Sequence, residues 1–542
     1  MPKLVLLLFL SLTVTASPAG TPEEMARADA APELHPAGSD HGLGALGSAG
    51  TCLRCHAMVS PWTHQATRLP RIEPDYVGVT IPPNIAPMNF FIREEGTSFD
   101  VTATSGSGRY QVEVTSSEGL VQFPEDSWKE LLGESVGDSI VFQITANGGG
   151  SAGVSFTPFH MRVASEEIDS WLVYRLLPPG YYSWSRIKIV QRSLESFREE
   201  SILDNQILEN NCANCHSFAN NSPDRFLIHV RGSLGGTYFV EDGEITRADP
   251  RIDEMPGGAT YPAWHPEGRF VAFSSNQVRQ SFYSQPGKVV EVYDLVSSLI
   301  LYDRDRNQTL SIPSNPSESD TTAYLETFPS WSPDGDYLYS ARAPNVIDEA
   351  DPQLEQIQST HYDIVRRSFH RETRSFGPPE VVFDASGMDK SASFPRISAD
   401  GKFLVLTLAD YGTFPLWHRE ADLVLLDLDT GEYRRMDVNS DEADSYHTWS
   451  SEGRWLVFSS RRLDGRSTRP YFAYIDSLGN QGKEFLLPQQ NPSLYDELLD
   501  SFNRPVLTSG RVDLGPRDFL RATEQETLKA TSGNPPDTIL TP

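Results

Sequence analysis

The chain has 542 residues and carries 45 basic against 74 acidic side chains, a formal net charge of −29. Such an acidic surface is a poor partner for nucleic acid or an anionic membrane, whereas it suits a basic protein partner or simply keeps the protein in solution. The length exceeds what one hydrophobic core usually organises, so two or three domains are expected.

The first residues have the pattern of a cleaved secretory signal. One lysine precedes an apolar run from Leu4 to Leu12, and small residues follow before Ser17. The run is too short to cross a bilayer, and no later apolar stretch approaches the roughly 20 residues that a transmembrane helix needs. We therefore predict a signal peptide over residues 1–16 and a mature protein that is periplasmic or extracellular, without a transmembrane segment.

Residues 17–50 are rich in Ala, Gly, Pro, Glu and Asp without hydrophobic periodicity, which predicts a flexible leader. A first cysteine motif follows at Cys52-Leu53-Arg54-Cys55-His56. The segment 51–88 around this motif has too little apolar material for an independent domain, so we expect it to pack against the domain behind it.

Residues 89–165 change to short alternating stretches separated by Gly-rich turns. Examples are the runs 99–103, 110–114 and 139–144, which alternate or carry β-branched residues. Regular short strands with turn signals predict a β-sandwich-like domain of immunoglobulin type.

Residues 166–223 are the most helix-like part of the chain. The run from Ser185 to Leu208 mixes apolar and charged residues at roughly helical spacing. A second cysteine motif, Cys212-Ala213-Asn214-Cys215-His216, follows at its far end. The pattern predicts a short helical segment that carries this motif.

The spacing of both motifs matches the attachment site of a c-type haem. Two thiols three positions apart form thioethers to the porphyrin, and the adjacent imidazole binds the iron. A redox disulfide or a zinc site shared by both pairs are the alternatives, although neither requires the histidine. The two copies use all four cysteines. We predict two covalently attached haem c groups, held by Cys52, Cys55, Cys212 and Cys215, with His56 and His216 as iron ligands.

A repeated pattern follows from residue 224 to about 515. Stretches that begin at Tyr261, Phe328, Phe394 and Tyr446 each lead into an acidic-Gly pair and then an apolar strand. The acidic-Gly pair makes a tight turn between two strands, and four-stranded repeats of this kind predict a β-propeller of about six blades. The polar residues 516–542 are predicted to be disordered.

The repeat core Trp331-Ser332-Pro333-Asp334-Gly335 resembles the TolB-like propeller repeats. Residues 81–510 resemble a family of exported bacterial proteins that place one Cys-x-x-Cys-His motif ahead of such a propeller. The matching stretches are 81–87, 214–218, 229–232 and 459–462. This resemblance implies a mainly β fold and export but no reaction, and the additional motif at Cys52 departs from the family's single-haem pattern.

Three functions are compatible with these features. The first is electron transfer by a dihaem cytochrome c with a redox partner protein. The second is a propeller that scaffolds a complex of the cell envelope and carries a structural or sensory haem. The third is a haem oxidoreductase with a substrate over the propeller mouth, so whether the protein is an enzyme stays open. Two six-coordinate haems would favour transfer, and an open iron position would favour the enzyme.

The residue opposite the proximal imidazole at the second haem is predicted to be His229. Alternation along the strand 226–231 places His229 and Arg231 on one face, where Arg231 is positioned to pair with a haem propionate. His160, Met161 and Met255 are the alternative ligands.

Overall fold

A computed structural model describes residues 63–148, 151–179, 186–285, 288–315 and 320–533. The predicted signal peptide, the leader and the first motif, with Cys52, Cys55 and His56, lie outside these residues. The described part of the chain is mainly β, as predicted. No helix within it is long and apolar enough to cross a membrane.

The first domain consists of two sheets and one helix that share a core. In chain order its elements are β1 (Thr63–Gln65), β2 (Ile72–Glu73), β3 (Thr80–Ile81), β4 (Phe90–Ile92), β5 (Ser98–Ser105), β6 (Gln111–Ser116), β7 (Leu120–Val121), α1 (Glu125–Gly133), β8 (Ser139–Gly148), β9 (Ser151–Ser155) and β10 (Phe159–Val163). One sheet has the order β1-β9-β8-β10-β3, in which β5 also pairs with β8 and β6 pairs with β5. The other sheet has the order β2-β4-β7. Phe142 and Phe159 stack at 4.9 Å between ring centroids in the shared core. The sequence predicts this domain over residues 89–165, but in the structure its strands begin at Thr63.

Three antiparallel strands follow where the sequence predicts a helical segment. They are β11 (Trp171–Leu177), β12 (Lys188–Ser193) and β13 (Glu199–Asp204). Val173, Ile189 and Ile202 are buried in one cluster, whereas Leu172 and Val190 belong to the core that includes the first domain.

Five further sheets follow in order along the chain. The strands are β14 (Cys212–Phe218), β15 (Arg225–Arg231), β16 (Gly236–Glu241) and β17 (Glu244–Asp249) in the first; β18 (Ala259–Trp264), β19 (Phe270–Gln285), β20 (Lys288–Asp303) and β21 (Gln308–Ser311) in the second; β22 (Tyr324–Trp331), β23 (Tyr337–Pro344), β24 (Asp363–His370), β25 (Ser375–Phe376) and β26 (Glu380–Phe383) in the third; β27 (Ser391–Ile397), β28 (Phe403–Ala409), β29 (Asp422–Asp427) and β30 (Tyr433–Arg435) in the fourth; and β31 (Asp444–Trp449), β32 (Trp455–Ser460), β33 (Arg469–Tyr474) and β34 (Phe485–Leu486) in the fifth. The short helices α2 (Leu354–Gln358) and α3 (Leu494–Glu497) lie between strands.

A sixth sheet joins distant parts of the chain. Strand β35 (Ser501–Thr508) pairs antiparallel with β11, giving the order β13-β12-β11-β35. The predicted helix over 166–223 is therefore wrong, because these residues complete a sheet with a strand about 300 positions away, which local spacing does not reveal. For the same reason the sheets of the ring start at Trp171 and not at residue 224.

The six sheets form a closed, propeller-like ring around a central channel. Their innermost strands contact one another in the order β14, β18, β22, β27, β31 and β35, and β35 contacts β14. Tryptophans of the repeats link neighbouring sheets: the indole N–H groups of Trp264, Trp331 and Trp449 donate to the carbonyls of Ser217, Ala263 and Arg396 at 3.0–3.1 Å. The predicted β-propeller architecture is confirmed at this level.

The C-terminal residues are folded up to residue 533, contrary to the predicted disorder over 516–542. Helix α4 (Pro516–Ala522) buries Phe519 beside Phe226 and Tyr238 of the first sheet. Strands β36 (Leu528–Lys529) and β37 (Thr531–Ser532) then pair with β17 and β21. The segment adds an outer strand to two sheets, so polar composition alone was a misleading sign of disorder. Residues 534–542 lie outside the described part.

Candidate functional site

The second cysteine motif lies on β14, the innermost strand of the first sheet, and not on a helix. The pairing of β14 with β15 shifts in register between Ala213 and Cys215, which leaves Asn214 as a bulge. The innermost strands β18, β22, β27 and β31 have similar shifts. A bulge bends the strand and redirects a side chain, and the motif is thereby held at the wall of the central channel.

The register brings four of the predicted site residues together. Cys215 lies directly opposite His229, and Cys212 lies opposite Arg231. Directly opposite residues in an antiparallel pair have Cβ atoms about 4.5–5.5 Å apart. The sequence analysis placed His229 and Arg231 on one face of β15, and the structure places that pair next to the two cysteines.

Both thiols are free and lie in the interior. Cys212 is 9% exposed and Cys215 is 1% exposed. Burial raises the pKa of the Cys212 thiol, and the nearby Arg175 and Arg231 guanidinium groups only partly oppose this. The Cys212 thiol is therefore protonated and unreactive at neutral pH in the folded chain.

His216 is buried and uncharged. Its Nε2–H donates to the carbonyl of Arg504 at 3.0 Å, while Nδ1 has no hydrogen-bond partner in the described part of the chain. Burial lowers the pKa of His216 to about 3, and the positive charges of Arg504 and Arg175 add to the effect. A neutral imidazole with an unused ring nitrogen is the form that binds a metal.

His229 is also buried, and its ring orientation is set by a hydrogen bond. Its Nδ1 lies 3.0 Å from the Thr237 hydroxyl on β16. Burial, followed by the charge of Arg231, lowers the pKa of His229 to about 3. The other ring nitrogen, Nε2, lies near Gly258; a Cβ atom on that residue would be 3.9 Å from Nε2.

A cavity of about 440 Å³ occupies one end of the channel. Each of the six innermost strands contributes to its wall, and the contributing residues include His216, Pro262, Pro329, Arg396, His447 and Arg504. The two cysteines are not among the lining residues. Of the motif, His216 alone borders the cavity.

A layer of aromatic rings fills the channel next to this cavity. Tyr261, Phe328, Phe394 and Tyr446 contact one another in sequence, with centroid separations of 4.5, 3.8 and 4.7 Å. Each has a positive φ between 48° and 54°, a conformation that bulky residues adopt only when the surroundings impose it. Cys215 has the corresponding position in the first sheet. The carbonyls of Ser217 and Ala263 accept equivalent tryptophan hydrogen bonds. Cys215 lies two residues before Ser217, as Tyr261 lies two residues before Ala263.

Three arginines surround these residues without a carboxylate partner among the described residues: Arg175, Arg396 and Arg504. Arg175 donates to the backbone and side chain of Asn214 and to Asn503, and its Nε has no partner. Arg396 donates to the Pro395 carbonyl, and the NH1 of Arg504 has no partner. Burial lowers the pKa of Arg175, and it lowers the pKa of Arg396 to about 9.

Sequence reasoning missed these arginines, although one signal was present. Asn503-Arg504-Pro505 repeats the aromatic-Pro pattern of β18, β22 and β27, with arginine in the aromatic position. The alternative iron ligands are elsewhere: Met161 is buried in the first domain, His160 is exposed on β10, and Met255 packs beside the second sheet.

The donor set on β14 fits a c-type haem chemically. Two unbridged thiols precede a neutral imidazole that has an unpartnered ring nitrogen, and a second neutral imidazole lies across the strand pair. The thiols are enclosed, however, and only His216 reaches the cavity. A haem bonded to both sulfurs therefore has to be attached before the sheets close around β14.

Comparison with protein families and with curated proteins finds no match. Among solved structures, the chain is similar to one in a nidogen/laminin complex at 11% identity, with 63% of this chain and 100% of that chain covered and a TM-score of 0.34. It is also similar to prolyl oligopeptidase B from Galerina marginata (11% identity, 56% and 41% covered, TM-score 0.34) and to hydrazine synthase from Kuenenia stuttgartiensis (16% identity, 49% and 64% covered, TM-score 0.27). The chain thus spans less than two thirds of the latter two. These scores are too low to support an argument, so the fold assignment rests on the strand pairing.

Proposed function

We propose that this protein is an exported c-type cytochrome that transfers electrons, with one haem attached to Cys212 and Cys215 at the central channel. The observation that carries the proposal is the second motif itself. Its two free thiols lie opposite Arg231 and His229, and the neutral imidazole of His216 borders the channel cavity. The same motif at Cys52, Cys55 and His56 extends the proposal to a second haem. The TolB-like repeats and the signal-like start of the chain support export.

A bound haem c would supply a one-electron iron couple, whose potential depends on ligands, burial and nearby charge. His216 would be the proximal ligand and is already neutral, so it loses no proton when it binds a metal. The closed packing around the thiols excludes water from the attachment site. The neighbouring Arg175 and Arg231 add positive charge, which favours the reduced state of a buried centre.

His229 is the proposed second ligand at this haem. Its Nδ1 is held by Thr237, which fixes the ring and leaves Nε2 for a metal, as hydrogen-bonded histidine ligands are commonly arranged. Its place opposite Cys215 keeps it within reach of a group attached there. Arg231, opposite Cys212, would pair with a propionate. Two imidazole ligands would make this centre an electron carrier and not an open reaction site.

The test is the mass and the spectrum of the full chain, produced in a host that exports and matures c-type cytochromes. The mass should exceed that of the processed polypeptide by two haems, and the reduced protein should give a low-spin spectrum. The double variant Cys212→Ala/Cys215→Ala should retain one haem, and the matched variant Cys52→Ala/Cys55→Ala should retain the other.

Other outcomes separate the alternatives. An unmodified mass with four free thiols would end the cytochrome proposal and leave the binding propeller. A high-spin haem that binds carbon monoxide would favour an oxidoreductase. Replacing His229 with Ala should convert the channel haem to high spin, and an unchanged low-spin spectrum would assign the second ligand elsewhere.

A further inference from the structure

The channel cavity differs in charge from the rest of the molecule. The chain has 74 acidic residues, yet no Asp or Glu is among the described residues that line the cavity. Its charged lining residues are Arg396 and Arg504. Prolines, tryptophans and hydroxyl-bearing residues make up most of the remaining wall. Although the protein is acidic overall, the described residues that line its central cavity carry no negative charge.

The two arginines lack the partners that buried arginines usually have. Other arginines of the ring show two arrangements: Arg367 and Arg342 contact Glu326. Arg192 and Arg469 instead donate to backbone carbonyls. Arg396 and Arg504 form no salt bridge with any described residue, and the charge of Arg504 adds to the burial that lowers the pKa of Arg396. Their hydrogen bonds are limited to the Pro395 carbonyl for Arg396, and the NH1 of Arg504 has none.

Burying a guanidinium without a counter-charge is unfavourable unless something else supplies the charge. Replacement by an apolar residue would remove this penalty, and the four aromatic residues at positions equivalent to Arg504 show that the fold accepts one. Packing therefore does not explain why an arginine occupies position 504, and we infer that its charge has a function.

The mouth of the cavity does not offset this positive charge. Acidic residues of the repeat turns lie near the rim, but Glu267 pairs with Arg371 at 2.7 Å and Asp400 pairs with Arg454 at 3.1 Å. The Asp334 side chain accepts hydrogen bonds from Ser332 and from the backbone of its own turn. Asp169 accepts hydrogen bonds from Ser451 and Asn221 at the cavity wall. None of these carboxylates, nor Glu452 of the fourth repeat turn, forms a salt bridge with Arg396 or Arg504.

We propose that the channel cavity binds an anionic group, a carboxylate or a comparable oxyanion, between Arg396 and Arg504. Guanidinium groups bind carboxylates with paired, charge-assisted hydrogen bonds, which would satisfy N–H groups that have no acceptor in the chain. Two sources have this chemistry: a free small anion that enters through the mouth, and the propionates of a haem held at β14. The site rests on the cavity and its charges, and it does not require the haem.

The test measures thermal stability and binding heat for the full chain with succinate, phosphate and the neutral analogue succinamide, at constant ionic strength. We expect an anion to raise Tm and to bind with measurable heat, and succinamide to do neither. Arg396→Gln and Arg504→Gln should each weaken anion binding at least tenfold. Arg466→Gln, which removes an exposed guanidinium that is neither in the cavity lining nor in a salt bridge with a described residue, should leave it unchanged.

Two further variants keep the test decisive. If a glutamine variant does not fold, Arg396→Lys and Arg504→Lys retain the charge and should keep weakened binding. The Cys212→Ala/Cys215→Ala protein separates the sources: anion binding there but not in the haem-loaded protein assigns the site to propionates, and binding in both assigns it to a free anion. No binding in either protein, or binding that Arg396 and Arg504 variants do not change, overturns the proposal.

Discussion

At the scale of single residues, the channel is governed by what occupies one repeated position. Four innermost strands place an aromatic ring there with positive φ, the sixth sheet places Arg504, and the first places Cys215. Arg504 shares the positive φ of the four aromatic residues, so there the side chain alone converts a packing position into a charged one. Cys215 does not have a positive φ. In this fold, residues with functional chemistry therefore occupy a position that is filled by packing residues in the other sheets.

Asp294 gives a prediction at this scale. It is 1% exposed, accepts one hydrogen bond from Asn276 at 2.9 Å, and its Oδ2 has no partner among the described residues. Burial raises the pKa of Asp294 to about 7. Between about pH 4 and 7 the folded chain holds a proton that the unfolded chain has released. The free energy of unfolding therefore falls as pH rises, by up to about 1.4 kcal/mol per pH unit, and levels off above pH 7.

Replacing Asp294 with Asn should remove this dependence. The variant's stability relative to the parent protein should increase from pH 5 to pH 8, as measured by urea unfolding at each pH. Asp351→Asn, at an exposed carboxylate, is the matched control and should show a constant difference. A constant difference for Asp294→Asn as well would mean that this carboxylate titrates normally.

At the scale of elements, strands that are joined by short hairpin turns were predictable from the sequence. Strands that pair with a partner far along the chain were not. The acidic-Gly turns have positive φ at Gly268, Gly335, Gly401 and Gly453, as their sequence indicates. Residues 186–204 have an ambiguous spacing and form β12 and β13, which extend the sheet that β11 makes with the distant β35. No local pattern contains that information, and tertiary pairing overrides propensity in such segments.

The candidate site was predicted in part for the same reason. The motif residues and the pair His229 and Arg231 follow from spacing and alternation within a short segment, and the register brings them together. Arg175 and Arg504 come from β11 and β35, on the sixth sheet that the sequence did not predict. Their approach to β14 depends on closing the ring, so spacing along the chain gave no sign of it.

The C-terminal segment gives a prediction at this scale. Phe519 is fully buried on α4, whereas its neighbour Leu520 is 41% exposed. Phe519→Ala should lower the free energy of unfolding by about 3–5 kcal/mol, the usual cost of deleting a buried phenyl ring. Leu520→Ala should change it by less than about 1 kcal/mol. Denaturant unfolding measures both, and equal small effects would show that α4 does not pack against the ring in solution.

At the scale of the whole molecule, the ring is one cooperative body whose closure joins β11–β13 to β35. A fragment from Asn221 to Gly515 contains five of the six innermost strands, but it lacks β14 and the three strands that share a sheet with β35. Two neighbouring sheets would be incomplete, with unpaired strand edges and exposed apolar faces. The predicted boundary at residue 224 therefore cuts through the ring.

We expect the fragment 221–515 to aggregate or to lack a cooperative thermal transition. A fragment of residues 63–533, which contains every described strand, should melt in one sharp transition and serves as the control. Circular dichroism and size-exclusion chromatography check both. A soluble 221–515 fragment with a sharp transition would show that the ring is complete without its N-terminal strands.

Ring closure also limits the time during which the thiols of Cys212 and Cys215 are accessible in the growing chain. Cys215 is synthesised about 290 residues before β35, which completes the ring beside it. At roughly 5–20 residues per second, the growing chain leaves β14 without its final neighbour for about 15 to 60 seconds. A haem attached to Cys212 and Cys215, as proposed above, would have to be joined to both sulfurs before this closure. Slowing the chain between residues 218 and 500 would lengthen the interval, and joining β35 to the N-terminus by circular permutation would abolish it.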